Sequence, residues 1–264
     1  MSKTIFSAKE IEWSEIGNYQ DDKSIYRGHR CAAWPLETSL ERACKRIYDS
    51  LDDAVKMEKA LLREFRRRLH HYTVNVPNAE EPLRWLSLMQ HHGAPTRLLD
   101  WTYSIYIASY FALEYTTNDC AVWKIDKEWL KDEGFAVFEK DSRGTSIFRE
   151  KGDESVEKQF KVDVVERDPP LAAVIQVNPF QLDERLTIQK GVFLYPCDAK
   201  LSFETNLKAM SGWNDSSKVL KLTISSDERR IALKVLHSMN ISRATLFPGL
   251  DGFAQSLKVY HPLL

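Results

Sequence analysis

The sequence lacks the short motifs that mark the commonest nucleotide-binding and hydrolytic sites. It contains no G-x-x-x-x-G-K-[ST] phosphate loop, no G-x-G-x-x-G turn, no H-E-x-x-H pair and no G-x-S-x-G elbow. It also has no apolar run near the ~20 residues that span a bilayer, and its four cysteines form no C-x-x-C pair. These absences argue against P-loop NTPases, Rossmann dehydrogenases, zinc peptidases and membrane-spanning proteins.

Net charge is also nearly absent. The 264 residues carry a formal charge of −1, with 43% hydrophobic and 28% charged residues, which is ordinary globular usage. No overall field draws the chain to nucleic acid or membrane, although a local basic patch still can. We expect one domain over residues 1–264, reduced thiols, no secretory leader, no membrane partner and a cytoplasmic location.

Hydrophobic periodicity predicts helices early in the chain and strands late. Helices are expected near residues 7–18, 40–48, 52–72, 81–92, 102–116, 227–239 and 251–259. Strands are expected near residues 23–27, 120–125, 171–177, 186–189, 192–195, 218–224 and 243–247. Residues 95–100 are expected to form a loop, and the highly charged stretch 135–168 a mobile insertion. This order predicts an α+β fold, with a helical N-terminal half packed on a mixed or antiparallel sheet.

One dense polar segment is Ile25-Tyr26-Arg27-Gly28-His29-Arg30, with Trp34 shortly after it. An arginine at the end of a strand, followed by glycine, presents a guanidinium where the backbone lets a ligand approach closely. That arrangement suits a phosphate or another bidentate acceptor. Alternatively, Arg27 pairs with a buried carboxylate and Gly28 simply turns the chain. The sequence leaves both interpretations open.

A second polar segment runs from Gln90 to Thr102 and includes His91, His92, Thr96, Arg97 and Asp100. Its flanks are apolar, so these groups must be paired with one another, with water or with a ligand. One interpretation pairs Arg97 with Asp100 and lets Asp100 cap the following helix. The other gives the segment a ligand. A metal is not expected, because adjacent histidines point in different directions on a helix.

Together these segments resemble the signature of FRG domains. The resembling stretches are Tyr26-Arg27-Gly28, Trp85-Leu86, Gln90 to Thr102, Tyr110-Phe111-Ala112, Arg185, Gln189-Lys190-Gly191-Val192-Phe193 and Leu246-Phe247-Pro248-Gly249-Leu250-Asp251-Gly252. They are spread over nearly the whole chain, from Ile25 to Leu257. The resemblance implies that the chain is a single FRG domain.

The FRG arrangement is in turn similar to that of ADP-ribosyltransferases that use NAD. Those enzymes carry an arginine or histidine on a first strand, a Ser/Thr motif before a Val/Ile-Ala-x-x-Phe-Ala helix, and a glutamate on a later strand. Arg27 stands in the first position, and Thr102 precedes Ile107-Ala108-Ser109-Tyr110-Phe111-Ala112 in the second. No glutamate matches the third position, for which Gln189 is the best candidate and Glu184 a weaker one. The similarity implies a transferase-like core, NAD as substrate and no metal.

The similarity also implies roles for individual residues. Catalytic roles are implied for Arg27, Thr102, Gln189, His92 and Asp100. NAD-binding roles are implied for Tyr26, Arg27, Gly28, Thr96, Arg97, Tyr106 and Phe111. Gln189 can hydrogen-bond a ribose hydroxyl but cannot act as a general base, so His92 or Asp100 would prepare the acceptor. Tyr106 and Phe111 have an alternative interpretation as core residues.

The acceptor stays open. A basic patch of Arg63, Arg66, Arg67 and Arg68 on the 52–72 helix suits a nucleic-acid backbone, or is a solvated face balanced by nearby carboxylates. A protein or a small molecule also stays open as the acceptor. Three functions compete. The first is an ADP-ribosyltransferase acting on a macromolecule, as a toxin or phage-defence effector. The second is a non-catalytic nucleic-acid or nucleotide-binding module, and the third is a nuclease using His91, His92 and Asp100.

Overall fold

The computed structural model describes residues 6–143 and 155–258, and a seven-stranded sheet runs through it. The strands are β1 (Ser7–Glu10), β2 (Ser24–His29), β3 (Leu99–Thr102), β4 (Cys120–Asp126), β5 (Val174–Val177), β6 (Gly191–Pro196) and β7 (Val219–Ile224). The helices of the first half are α1 (Ser39–Tyr48), α2 (Ala54–Arg68), α3 (Pro82–His91), α4 (Ile105–Leu113) and α5 (Lys127–Glu139). Those of the second half are α6 (Ser155–Phe160), α7 (Glu184–Ile188), α8 (Phe203–Lys208), α9 (Arg229–Ser238), α10 (Arg243–Leu246) and α11 (Leu250–Ser256). Shorter 3-10 or π-helical segments cover Trp13–Tyr19, Leu69–His71, Lys161–Val165 and Ser226–Glu228.

The strand order across the sheet is β1-β7-β4-β2-β3-β6-β5. β1 runs parallel to β7, and every other neighbouring pair is antiparallel. The expected mixed sheet in a mixed α/β protein is therefore confirmed. The expected separation of early helices from late strands is wrong, because β1, β2 and β3 all lie in the first half of the chain.

The sheet is split between β2 and β3. These two strands are joined only by the pair Tyr26 and Thr102, whereas β2 pairs with β4 along its whole length, from Ser24 to His29. Beyond Tyr26 the backbones of β2 and β3 separate, and the Arg27 side chain bridges the gap to the carbonyl oxygen of Asp100. The split leaves room for a cavity at one end of both strands.

Helix α4 covers β2 closely because Gly28 has no side chain. A β carbon at Gly28 would overlap the carbonyl oxygen of Ala108 and lie 2.6 Å from the backbone nitrogen of Ala112. The helix is buried almost all round, as expected from its composition, and Ala108 and Ala112 are fully buried. Gly28 therefore sets the distance between the sheet and α4 rather than turning the chain.

Apolar side chains form separate clusters on the two faces of the sheet. Tyr26, α4 and α9 contribute to one cluster, while Ile25, Trp101, Trp123 and α8 contribute to the other. A third cluster joins α3 and α5 to β5 and β6. The alternation of Ile25 and Tyr26 between two faces is the two-residue period of a strand buried on both sides.

Several predicted elements are confirmed. The predicted strand at 23–27 is β2, and the Thr38 side chain caps α1 by accepting a hydrogen bond from the Glu41 backbone. The predicted 52–72 helix is α2 with a short 3-10 extension. Gly93, at a φ of 79°, follows the end of α3 in the left-handed region that glycine adopts at little cost.

Four local predictions are wrong, all in short segments. Ser7–Glu10 forms β1 against β7 rather than opening a helix, and the 3-10 helix begins only at Trp13. The predicted loop at 95–100 gives way to β3 at Leu99. The predicted strands at 186–189 and 243–247 are helices α7 and α10, each with a side-chain cap, from Asp183 and Ser242 respectively. Runs this short carry too few periods to separate helix from strand, so caps and neighbouring strands decide.

The charged stretch 135–168 was predicted as a mobile insertion, and its described parts are helical and packed. Phe138 of α5 and Phe160 of α6 are fully buried in the third cluster. The Glu157 carboxylate accepts hydrogen bonds from the backbone nitrogens of Leu83 (2.8 Å) and Arg84 (3.2 Å), and so caps α3. Residues 144–154 of the stretch lie outside the described residues.

Candidate ligand-binding cavity

A cavity of about 740 Å³ lies at the split between β2 and β3. Residues from Tyr26 to Arg30 and from Asp100 to Thr102 form its floor, and α4, α7 and α10 supply the walls. The volume is within the range of small-molecule and cofactor sites. Tyr26, Arg27, Gly28, Asp100, Thr102, Phe111 and Gln189 are the expected site residues that the fold brings together here.

Positive charge exceeds negative charge in the cavity wall. Five arginines line it, namely Arg27, Arg30, Arg42, Arg185 and Arg243. Arg243 forms an ion pair with Glu114 at 2.9 Å. The other four have no acidic partner within ion-pair distance in the described part of the chain. Of the lining carboxylates, Glu114 is thus neutralised by Arg243, and Glu37 by Lys45.

Arg27 is held by neutral acceptors. Its Nη1 donates to the carbonyl oxygen of Asp100 at 2.6 Å, and its Nε donates to Nε2 of His29 at 3.2 Å. Burial lowers the pKa of Arg27 to about 10, the Asp100 carboxylate opposes this shift, and Arg42 adds to it. The expected alternative, pairing with a buried carboxylate, is not what the structure shows. The guanidinium is a half-buried cation that an anionic ligand would stabilise.

His29 is neutral beside this cation. Burial lowers the pKa of His29 to about 3, and the charge of Arg27 contributes to the shift. A neutral imidazole can accept a hydrogen bond at one ring nitrogen, as the contact with Arg27 requires. His29 therefore orients Arg27 without adding a second positive charge.

Two lining residues carry a further N–H donor that has no acceptor among the described residues. Nε1 of Trp101 and Nε of Arg243 are buried and make no hydrogen bond within that part of the chain. Buried donors are normally satisfied in folded proteins, by protein, water or ligand. Both groups are donors only, so an oxygen-rich ligand would match them as well as the unpaired arginines.

Thr102 and Gln189 are linked to each other across the cavity floor. Thr102 Oγ1 donates to the backbone oxygen of Gln189 at 2.7 Å, and the Gln189 side chain donates through Nε2 to the backbone oxygen of Leu246 at 2.9 Å. Gln189 lies two residues before the start of β6, which pairs with β3. These bonds connect α7 and α10 to the cavity floor. They also occupy the Thr102 hydroxyl and the Gln189 amide N–H, which would otherwise be available to donate hydrogen bonds to a ribose.

Asp100 carries the lining carboxylate that forms no ion pair among the described residues. Its Oδ2 accepts a hydrogen bond from Nε2 of Gln90 at 2.8 Å, and its Oδ1 has no partner within the described ranges. Its side chain does not cap α4, which begins at a cap from Ser104. By contrast, Glu114 receives hydrogen bonds from both Arg243 and the hydroxyl of Tyr110. Asp100 is therefore the more available carboxylate for chemistry.

Aromatic rings complete the wall. Phe111 and Phe247 meet edge to face with centroids 6.0 Å apart, and the Arg185 guanidinium lies 4.5 Å from the Phe247 ring centre. Tyr26 contributes mainly to the core, since its hydroxyl donates to the backbone oxygen of Tyr19 at 2.8 Å. The Phe111 ring therefore forms part of the cavity wall, whereas Tyr26 belongs mainly to the first apolar cluster.

Thr96 and Arg97 are not among the residues that line the cavity. Thr96 is buried and donates to Oε1 of Gln90 at 2.6 Å. Arg97 is buried and donates to both carboxylate oxygens of Glu58, at 2.8 and 2.5 Å, instead of pairing with Asp100. The polar groups of both residues form hydrogen bonds within the protein. Both residues therefore hold the loop before β3 in place.

His92 and Tyr106 also lie outside the cavity lining. His92 is exposed and contacts the ring of His91, whose Nδ1 is 3.4 Å from an Asp183 carboxylate oxygen. Tyr106 packs with the first apolar cluster. The structure thus places the histidines on a surface turn and Tyr106 in the core, away from Arg27.

The predicted basic patch on α2 is partly neutralised. Arg67 and Arg68 both form ion pairs with Glu64, at 3.1 and 3.0 Å. Arg66 lies over the Trp85 ring, 5.0 Å from its centre, and only Arg63 has neither an ion pair nor a ring contact within the described residues. The arginines of the cavity carry more unbalanced charge than those of α2.

Pattern reasoning missed several lining residues. Arg42, Glu114, Tyr115 and Arg243 come from α1, the end of α4 and α10, and no motif connects them in sequence. A single charged or aromatic residue on a helix does not reveal from the sequence that it lines a cavity. In addition, the segment that forms α10 was expected to be a strand. Only the packing of α4 and α10 around the split sheet brings these side chains together.

Within the part of the chain that the structure describes, no three metal-ligating side chains of the His, Cys, Asp and Glu types come together. The four cysteines are free, and Cys44, Cys120 and Cys197 are buried. Among the described residues, no helix has both the length and the apolar character needed to cross a bilayer.

The fold and the site define a mixed α/β protein with a cationic, half-enclosed cavity at the split of its sheet. Residues 22–120 match the family model described as FRG domain. The matched span contains β2, β3 and α4, so this part of the chain is similar to FRG domains. The resembling segments at Gln189 and Leu246 lie beyond it. No curated protein and no solved structure matches the chain.

Proposed function

We propose that the protein binds NAD in the cavity beside Arg27 and transfers its ADP-ribose to an acceptor. One observation carries the proposal. Arg27 on β2, Thr102 at the end of β3 and Gln189 just before β6 converge on one cavity. Arg27 and Thr102 are the residues that resemble the first two transferase positions, and Gln189 is the best candidate for the third. Residues this far apart in sequence meet only because β2, β3 and β6 are neighbours in the sheet.

The cavity's charge supports a dinucleotide ligand. NAD carries two phosphates, and guanidinium groups bind phosphate oxygens through paired N–H donors. Arg27 and Arg185 supply such groups, and neither forms an ion pair with a carboxylate in the described part of the chain. Phe111 and Phe247 supply apolar faces for a ring. Binding an anion would also relieve the cost of keeping Arg27 desolvated and charged.

The carboxylate of Asp100 supports a chemical step. When the bond between nicotinamide and ribose breaks, its electron pair leaves with the nicotinamide nitrogen, and positive charge develops on the ribose. A nucleophile on the acceptor then bonds to the ribose carbon and loses its proton. Asp100 has a free oxygen that can stabilise the charge or take that proton. We assign this role to Asp100, because the Gln189 amide cannot act as a base.

A second candidate function is a nucleotide-binding module without catalysis. It is favoured by the hydrogen bonds that Thr102 and Gln189 already make within the protein, and by the amide that stands where a glutamate is expected. A module of this kind would bind NAD through the same arginines but would not cleave it.

The test is release of nicotinamide from NAD by the purified protein, together with calorimetric binding of NAD. We expect wild type to release nicotinamide, and Asp100→Asn to release it on the order of 100-fold more slowly. Arg27→Ala should bind NAD about tenfold or more weakly, because a charge-assisted hydrogen bond to the ligand is removed. Arg63→Ala, an exposed arginine outside the cavity, is the matched control. Binding without release would leave the module, and absence of both would end the NAD proposal.

A further inference from the structure

Exposed aromatic side chains flank an arginine at the mouth of the cavity. The Arg30 guanidinium lies 5.9 Å from the Trp34 ring centre and 5.8 Å from that of Tyr115. Trp34 is 49% exposed and Tyr115 is 38% exposed. All three line the cavity that contains Arg27. The Arg243 guanidinium also lies 5.7 Å from the Tyr115 ring centre, so the exposed Trp34 ring is the more open face of this stacking platform for a planar, electron-rich ring.

Positive charge continues from this platform along α1. Arg42 lines the cavity, and Arg46 stands one helical turn further along the same face of α1, where residues four apart are neighbours. Both side chains are exposed, and neither has an acidic partner among residues 6–143 and 155–258. Lys45 between them is neutralised by Glu37 and Glu41. The unpaired charge therefore extends beyond the cavity, further than one dinucleotide confined to the cavity would require.

We propose that Trp34, Arg30 and Tyr115 stack an unpaired base of a single-stranded nucleic acid, whose backbone follows Arg42 and Arg46, and that this strand is the acceptor of the ADP-ribose. The second half of the proposal rests on the proposed function. The new bond joins the ribose carbon to a nitrogen or oxygen of the nucleic acid. Nicotinamide leaves with the electron pair, and the proton of the nucleophile passes to Asp100.

The stacking platform suits single-stranded nucleic acids better than duplexes. A base inside a duplex has both faces covered by its neighbours, so it must leave the stack before an aromatic side chain can contact a face. The net charge of −1 gives no general attraction to nucleic acid. Recognition must then come from the local arginines and the ring faces, which is the combination used by proteins that bind single strands.

The test measures binding of fluorescein-labelled 12-nucleotide single strands of mixed-sequence DNA and RNA, and of the matching duplexes, by anisotropy without NAD. We expect single strands to bind at least about tenfold more tightly than duplexes. Trp34→Ala should lose about tenfold or more, as expected for one stacked base, and Trp34→Phe should retain most of the affinity. Arg42→Ala with Arg46→Ala should weaken binding and reduce its salt dependence. Tyr72→Ala, which removes an exposed tyrosine outside the cavity, is the matched control.

Three outcomes would overturn the inference. The first is the absence of single-strand binding, or equal losses in Trp34→Ala and Tyr72→Ala. The second is a loss of NAD affinity in Trp34→Ala as large as its loss of oligonucleotide affinity, which would assign the platform to the dinucleotide. The third is label from NAD found only on protein in a cell extract. Oligonucleotide binding without NAD binding would instead defeat the proposed function and leave the nucleic-acid site standing.

Discussion

Arg27 and Arg97 belong to the same matched span but stand in opposite surroundings. Arg97 is buried against Glu58, donates to the backbone oxygen of Cys197 and lies 4.6 Å from the centre of the Tyr195 ring. Burial opposes its charge, but the Glu58 carboxylate outweighs burial and raises the pKa of Arg97. Burial lowers the pKa of Arg27 to about 10, because no carboxylate pairs with it directly.

The difference separates a structural arginine from a functional one. Arg97 is complete without a ligand, since its donors and charge are matched inside the protein. Arg27 keeps a charge that the folded protein does not neutralise, beside a cavity large enough for a ligand. A group with a perturbed pKa in a cleft is a candidate for function, whereas a buried and fully paired group more often serves the fold.

Arg97→Ala should produce the largest change in stability. It leaves the Glu58 carboxylate buried without a partner, and we expect a loss of ~3–5 kcal/mol in the free energy of unfolding, measured by urea denaturation. The double variant Glu58→Met with Arg97→Met removes both charges and should lose less than the single variant. A loss below about 1 kcal/mol for Arg97→Ala would contradict a structural role for this pair.

Acidification should have a smaller effect, through His29. An unfolded histidine gains its proton near pH 6.5, whereas burial and Arg27 lower the pKa of folded His29 to about 3. Between these values the unfolded state binds more protons, so stability falls as the pH is lowered. From pH 7 to pH 5 we expect wild type to lose about 2 kcal/mol more than His29→Gln. Identical losses in the two proteins would mean that His29 titrates normally.

Arg27→Ala should change stability least. It removes two hydrogen bonds but also a desolvated cation, and these effects oppose each other. We expect the free energy of unfolding to change by less than about 1 kcal/mol, measured by urea denaturation as for Arg97→Ala. A loss as large as that of Arg97→Ala would remove the distinction between the two arginines.

The helices that sequence patterns predicted well are those with two or more full turns. The hydrophobic repeat of α2 and the Thr38 cap of α1 are local, so they are visible before folding. The segments predicted wrongly, β1, β3, α7 and α10, are at most six residues long. Their conformation depends on partners distant in sequence, such as β7 for β1 and β6 for β3.

The sequence by itself determined that this is a mixed α/β protein with FRG-type polar segments around Arg27 and from Gln90 to Thr102, because periodicity, caps and motifs are local properties. The sequence could not predict that Arg97 pairs with Glu58, or that Arg27 forms no ion pair among the described residues. Both outcomes depend on which segments of the chain come together in the folded core. Only the tertiary structure decided that β2 and β3 separate after a single residue pair. It also decided that Arg42, Glu114 and Arg243 line the cavity formed there. The physical reason is that charge pairing and cavity formation are settled by contacts between residues far apart in sequence.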